Sequence, residues 1–428
     1  MKPKFKKEFV NPNPQEFYKT VAVIRDLKLN PSCEHGPTIL FERNGSRFFS
    51  CSAYRCRKLC PFYLSEEEWI PPEEALLASP NSKKRKMMPN DDDNVKRNND
   101  SNKNMPSLPP PTQRDMGEAQ YHFTEQTVNF FIKLFQDVGI SNIICIGTPS
   151  LHHFFKRHPS LKIDSFLLDI DERLIQQFPA TECAYYNMCN HHFFDDGRNG
   201  RENYDKFLQN SESLAIVTDP PFGAKVELIW NGALSSVQKD FRQYHSQSSN
   251  RCEVLWIFPY FMEGHILNKC PDSNLKMSDY KVLYKNHPKF KEKAEGSGNG
   301  KSSPVRIFTT IPLSLMKLPP DLYRYCDICQ KWVERRNLHC DLCKTCPTKD
   351  GGETYIHCLS CKRCVKSTWS HCESPCGTCH LINAQCPTSN SSTINRINKK
   401  INDNSSMVIK PMASVGSKFK KSKKKALK

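Results

Sequence analysis

From about residue 118 to 320 the apolar positions switch repeatedly between two periods. Phe130, Phe131, Leu134, Phe135 and Val138 recur at helical spacing, and Gly139 follows where a helix would be capped. Ile143-Ile144-Cys145-Ile146 is a short, continuous apolar run of the kind a buried strand needs. Similar runs recur at Ile163–Asp169, Ala184–Asn187, Leu214–Thr218, Val254–Phe258, Tyr280–Tyr284 and Val305–Phe308. Strands alternating with helices predict an α/β domain with a mostly parallel sheet covered by helices on both faces. Ligands in such sheets lie beyond the carboxyl ends of the central strands, so residues just after those runs are the ones to inspect for chemistry.

The flanks follow other rules. An extension covers 1–30, and 31–70 is a small, cysteine-bearing segment. From 71 to 117 the chain is polar and repetitive, with Asp91-Asp92-Asp93 and Pro109-Pro110-Pro111, and is expected to form a disordered linker because it buries too little apolar surface to offset chain entropy. A Cys/His-rich stretch occupies 321–390 and a basic tail 391–428. The tail carries eleven Lys or Arg against Asp403 alone, so it supplies +10 of the net charge of +17. Its Lys418–Lys425 segment, and Lys83-Lys84-Arg85-Lys86 in the linker, have the composition of nuclear or nucleolar address signals that also attract phosphate.

At 428 residues, 38% of them hydrophobic, the chain is long enough for more than one domain. No run approaches the length of a membrane span, and Met1-Lys2-Pro3-Lys4-Phe5-Lys6-Lys7 lacks an apolar signal core, so a membrane partner is not expected. The 21 cysteines fall mostly in Cys-x-x-Cys and His-Cys spacings, which suits metal better than disulfides.

Leu214–Thr218 runs into Asp219-Pro220-Pro221-Phe222. A strand ending this way suits an exocyclic amine such as adenine N6, a poor nucleophile whose lone pair is delocalised into the ring. One N–H needs a side-chain acceptor, which Asp219 offers. The other needs a backbone carbonyl, and the two prolines fix φ and bring no competing donor. Phe222 is placed to stack on the base. Gly147-Thr148-Pro149 follows the first strand of the domain, where glycine lets a ligand approach the backbone. Asp169 ends the second and suits ribose hydroxyls, with Asp171 as its competitor. Asn187 and Met188 follow the third, where the cofactor adenine is expected.

Cys33, His35, Cys51 and Cys60 form a candidate tetrahedral zinc set, with Cys56 as a spare thiol. Arg43, Arg47, Arg55, Arg57 and Lys58, interleaved with Phe48, Phe49 and Tyr54, suit phosphate neutralisation and base stacking. The carboxyl-terminal candidates are Cys326, Cys329, His339, Cys340, Cys343, Cys346, His357, Cys358, Cys361, Cys364, His371, Cys372, Cys376, Cys379, His380 and Cys386. Their pairing cannot be read from spacing, because consecutive pairs in an interleaved array belong to different ions. Lys344, Lys362, Arg363, Lys366 and Trp369 stand between ligands and suit RNA contact. Structural zinc holding the array against the catalytic domain is the simpler alternative.

Residues 31–70 resemble the GRF-type zinc finger, a single-stranded nucleic-acid module, with Gly45, Arg47 and Phe48 near its name-giving tripeptide and Ser46 interposed. The strand-end residues resemble the class I, Rossmann-like fold of S-adenosylmethionine-dependent methyltransferases. In order, the whole resembles the zinc-finger CCHC-domain-containing ribosomal RNA N6-adenosine methyltransferases. The resemblance is carried by Cys145–Pro149, Leu167–Asp171, Tyr186–Met188 with Asn190–Phe194, Val217–Gly223, Trp256–Phe261 and Ser303–Thr309. It implies methylation of one adenosine, extruded from a stem-loop of large-subunit (28S-type) ribosomal RNA, with S-adenosyl-L-methionine as donor and several structural zinc ions. A nucleolar and nuclear location, extending to the cytoplasm, and ribosome-biogenesis proteins as neighbours also belong to that expectation. Members carry a further Cys-Cys-His-His element ahead of the catalytic domain, whereas no cysteine lies between Cys60 and Cys145 here. Other amine acceptors, in DNA or protein, and a noncatalytic zinc-dependent RNA-binding factor remain the alternatives.

Overall fold

The computed structural model describes residues 20–54, 57–71, 108, 121–245, 250–287, 303–350, 354–373 and 376–381. The linker at 71–117, apart from Pro71 and Leu108, and the basic tail lie outside the described residues, as do Arg55, Cys56 and Cys386. The chain divides into two compact units, Met1–Tyr355 and Ile356–Lys428.

The first unit is built on an eight-stranded sheet. Helix α1 (Glu125–Val138) begins at Thr124, whose hydroxyl accepts from the Thr127 amide, and ends at Gly139 with φ 71°. Only a left-handed residue turns the chain there, which explains the glycine. The apolar face of α1 buries Phe131 and Phe135 completely. The strands that follow are β7 (Asn142–Ile146), β8 (Asp164–Asp169), β9 (Cys183–Asn187), β10 (His192–Phe193), β11 (Ser213–Thr218), β12 (Arg251–Pro259), β13 (Lys276–Met277) and β14 (Val305–Thr309). Their spatial order is β10-β9-β8-β7-β11-β12-β14-β13. Strands β9, β8, β7, β11 and β12 are mutually parallel, while β14 runs antiparallel to both neighbours.

Two apolar clusters, one on each face, enclose this sheet. Ile143, Cys145, Leu167, Val217 and Leu255 point to one, and Ile144, Ile146, Phe166, Ile216 and Trp256 to the other. Because alternate residues of each strand enter opposite cores, the strands read as unbroken apolar runs. The order reverses between β7 and β11: the chain builds outward from β7 through β8 and β9, then returns to β7's other side. Open α/β sheets place their ligand crevice at such a reversal, here the carboxyl ends of β7 and β11.

Tyr280–Tyr284 does not form the strand its apolar alternation suggests. Tyr284 makes an isolated bridge to Phe123, and single bonds run from Ser278 N to the Ile307 carbonyl (2.9 Å) and from Val282 N to the Val305 carbonyl (3.3 Å). The side chains of Tyr280, Val282 and Tyr284 are buried nonetheless, so the pattern reports packing and not pairing.

Ahead of the sheet lies a four-stranded antiparallel finger made of β1 (Val21–Val23), β4 (Ile39–Arg43), β5 (Ser46–Ser50) and β6 (Tyr63–Ser65), with a short β2/β3 hairpin (Ser32–Cys33, Gly36–Pro37). Asn44 (φ 51°) and Gly45 (φ 80°) form the β4–β5 turn, the two-residue, doubly left-handed turn that matches strand twist. After the sheet, β15 (Tyr323–Cys326) and β16 (Lys331–Glu334) form a knuckle in the same unit. Buried Asn337 ties it to the segment after β13 by donating to Asp279 Oδ2 (2.9 Å), and to the chain that follows the knuckle by donating to the Thr348 carbonyl (2.9 Å). The second unit contains two hairpins, Ile356–Cys358 with Arg363–Val365 and Trp369–His371 with Cys379–Leu381.

No helix among the described residues is long and apolar enough to cross a membrane.

Candidate active site and metal centres

Gly147, Asp169 and Asp219 each directly follow or end a strand at the crevice. Gly147 has φ +64°, and its amide donates to the Leu168 carbonyl at 3.0 Å. A Cβ added there would lie 3.2 Å from Met188 Cε and 3.8 Å from the Asp219 carbonyl oxygen. The ends of β7, β9 and β11 therefore meet within one side chain's width. Thr148 precedes helix α2 (Pro149–Arg157), and Pro149 fills a first-turn position where the missing N–H costs nothing.

Asp169 is 6% exposed and accepts from the Asp171 amide at 2.9 Å. Burial pushes its pKa up to about 7, against the opposing pull of backbone amides. Its neighbour Asp171 is already engaged: it caps helix α3 (Glu172–Ile175) and pairs with Arg173 at 2.6 Å. Asn187 is engaged too. Its Nδ2 donates to the His35 carbonyl (3.0 Å) and the Ser52 hydroxyl (2.9 Å), while Oδ1 accepts from the Cys189 amide (3.1 Å). These bonds make Asn187 an anchor of its loop. Met188 instead supplies an apolar wall beside Gly147.

Asp219 is partly open to solvent yet enclosed by protein, as expected of a pocket floor. Burial pushes its pKa up to about 8, and the Tyr284 hydroxyl opposes that rise. The Tyr284 hydroxyl is fully buried and faces Asp219, though it makes no hydrogen bond of ordinary geometry to a described residue. The charge of Asp219 also raises the pKa of Tyr121, whose ring meets that of Tyr284 edge-on at 5.7 Å. Neither tyrosine carries a motif, and both are distant from Asp219 in sequence. The Pro221 carbonyl accepts from the Ala224 amide at 2.7 Å. Phe222 sits edge-on to Phe258 at 5.7 Å and is half-buried. The buried Thr148 and Thr218 hydroxyls also lack hydrogen-bond partners among the described residues. A glycine turn, an apolar wall, one free buried carboxylate and orphaned hydroxyls together fit a nucleoside-bearing methyl donor.

Cysteine and histidine ligands converge as tetrahedral metal chemistry requires. In the first unit, Cys33, His35, Cys51 and Cys60 form one set and Cys326, Cys329, His339 and Cys346 another, with ligand atoms all within 4.8 Å of one another. Cys329 Sγ lies 3.8 Å from Cys346 Sγ and 3.2 Å from His339 Nδ1. The edge of a zinc–thiolate tetrahedron is about 3.8 Å, far longer than a disulfide. Cys340 and Cys343 also approach each other in this unit. In the second unit, Cys358, Cys361, His371 and Cys379 form a set, Cys372, Cys376 and His380 a three-ligand group, and Cys364 Sγ lies 3.8 Å from His357 Nδ1. Each His-Cys dipeptide at 339–340 and 371–372 splits its residues between neighbouring groups, so the array is interleaved as its spacing suggested.

The expected stacking face of the first finger needs correcting. Phe49 is fully buried and Phe48 nearly so. Arg47 is paired with Glu66 (2.9 Å) and Glu42 (3.7 Å), and Arg43 and Arg57 lie over the rings of Phe48 and Tyr63. Phe48 and Phe49 thus belong to the finger's own core, while Arg47 and Lys58 remain exposed.

Comparison with known proteins bears on the chemistry. The family model described as a probable N6-adenine methyltransferase matches residues 114–293. The chain is 34% identical to "rRNA N(6)-adenosine-methyltransferase ZCCHC4" of Homo sapiens over 375 residues, 75% of this chain and 72% of that protein. It is 34% identical to the protein of the same name from Xenopus laevis, over 72% of each chain. Among solved structures, the methyltransferase domain of bacterial CtHen1-CN is similar at a TM-score of 0.22 and 8% identity, covering 43% of this chain and 97% of that one; a likeness that faint carries no argument.

Proposed function

The chain belongs to the rRNA N6-adenosine methyltransferase family, and from that premise we propose that Asp219-Pro220-Pro221-Phe222 holds the amine of an extruded large-subunit rRNA adenosine beside a donor site made by Gly147, Met188 and Asp169. S-Adenosylmethionine, when bound, supplies an electrophilic methyl group on sulfur. The protein's task is orientation. Asp219 accepts one N6–H, the Pro220 carbonyl accepts the other, and the N6 lone pair is thereby turned out of conjugation with the ring. Phe222 covers the base once it has left its stack. Asp169 takes the ribose hydroxyls, and Met188 excludes water beside Gly147.

The meeting of Gly147, Met188 and Asp219 at the reversal of strand order carries this reading. Zinc fits the Cys/His sets as a structural ion and takes no part in the chemistry. In the same reading, Lys418–Lys425 directs the chain to the nucleolus, among ribosome-biogenesis proteins. Tritiated-methyl transfer to ribosomal RNA tests the site: Asp219→Ala is expected to lose roughly 100-fold or more in rate, as when an oriented acceptor is removed, with zinc content unchanged. Near-normal turnover by that variant would remove the assignment.

A further inference from the structure

The loop from Asn187 to His192 joins parts of the molecule that no motif connects. On one side it grips the amino-terminal finger. The buried Asn187 and Asn190 amides both donate to the His35 carbonyl, at 3.0 and 3.1 Å. Asn187 also reaches the Ser52 hydroxyl (2.9 Å), and Asn190 the Pro37 carbonyl (2.8 Å). His35, and Cys51 next to Ser52, belong to the finger's metal-ligand set. On the other side Met188 Cε lies against Gly147.

The remaining face of the loop is immobilised. Gly232 packs so tightly on the Met188 and Cys189 carbonyls that a Cβ has no room, and His191 bridges Tyr186 Oη (2.8 Å) and Asp240 Oδ2 (2.9 Å). Ala22 and Ile39 of the finger pack on Leu228, which seals the junction from water. Buried amides lose much when left unpaired, so loop and finger adopt their arrangement together.

We propose that the amino-terminal finger is a positioning element for the donor site: metal at Cys33, His35, Cys51 and Cys60 fixes the His35 carbonyl and Ser52 hydroxyl, which hold Asn187 and Asn190 and thereby seat Met188 against Gly147. This rests on the reading of Gly147, Met188 and Asp169 as the donor site. It assigns the finger a role in donor affinity separate from any contact with RNA.

The test uses the full, zinc-loaded chain labelled with 13C-methyl methionine. Calorimetry gives S-adenosylmethionine affinity, and the Met188 methyl resonance reports its seat. Asn190→Ala is expected to weaken donor binding about 10-fold, and Ser52→Ala about 3-fold, the scale of one or two net hydrogen bonds. Both should move the Met188 resonance while the finger keeps its zinc. Unchanged affinity and an unchanged resonance, with only a lowered melting temperature, would overturn the proposal. Should Asn190→Ala fail to fold, Ser52→Ala decides by the same two readouts. Asp169→Asn separates the two claims. If it weakens donor binding while the finger-side variants do not, the positioning role alone fails; if it binds donor normally, the donor-site reading fails and takes the inference with it.

Discussion

Asp169 and Asp219 hold their protons to about pH 7 and 8 because burial penalises the charged form. In the unfolded chain both ionise near pH 4. Between those limits the folded protein binds more protons than the unfolded one, so stability falls as pH rises from about 4 to 8 and levels off above. Asp219→Asn and Asp169→Asn remove that loss. Each variant should gain melting temperature relative to the parent at pH 8, on the order of 1–2 kcal/mol after relaxation is allowed for, and little at pH 5. Thermal scans across that range check this, and equal shifts at both pH values would contradict it. At this scale the sequence was informative where chemistry demands one residue type, as at Asp219 and Gly147. It did not show that the Asn187 amide donates to the His35 carbonyl, because nothing local reveals a partner so distant in the chain. Tyr284 was legible as a buried aromatic but not as the neighbour of Asp219, a relation created only when the two segments pack.

The elements themselves followed closely from apolar periodicity, since a sheet buried on both faces writes itself as continuous runs. The exceptions have physical causes. Tyr280–Tyr284 alternates like a strand, yet its pairing is broken into a single bond from Val282 N to the Val305 carbonyl and an isolated bridge to Phe123, so no continuous ladder forms. The π-helical turn at Trp230–Leu234, whose Gly232 packs on the Asn187–His192 loop, has hydrogen bonds that span five residues, which no 3.6-residue pattern exposes. Glycine at the first crossover is testable as an element-level requirement. Gly147→Ala places a Cβ at φ +64° against Met188, so it should cost about 1 kcal/mol in stability and weaken donor binding several-fold in calorimetry. Asn337→Ala, at the knuckle's attachment to Asp279 and Thr348, leaves buried partners unpaired and should destabilise by about 2–4 kcal/mol, seen as a lowered urea midpoint with donor affinity retained.

For the whole molecule, zinc sites do what a large core does elsewhere. The amino-terminal finger buries only a handful of apolar side chains, and its fold depends on four ligands coming together. Removing metal with a strong chelator is expected to unfold the fingers first and to weaken donor binding through the Asn187–His192 loop, while the parallel sheet persists; far-UV dichroism with titration of released zinc distinguishes this from global collapse. Fingers at both ends of the chain were legible from cysteine spacing. That Phe48 and Phe49 would be buried in the finger's core was not, because apolar residues beside arginines read equally as a surface.

The most direct test of the whole account is the identity of the modified base. Ribosomal RNA incubated with the zinc-loaded chain and S-adenosylmethionine bearing a heavy-isotope methyl group is digested to nucleosides and weighed by mass spectrometry. The label should appear as N6-methyladenosine with the parent protein and be lost with Asp219→Ala. Label on another nucleoside, label on protein alone, or undiminished N6-methyladenosine from the Asp219→Ala protein would contradict the role given to Asp219-Pro220-Pro221-Phe222.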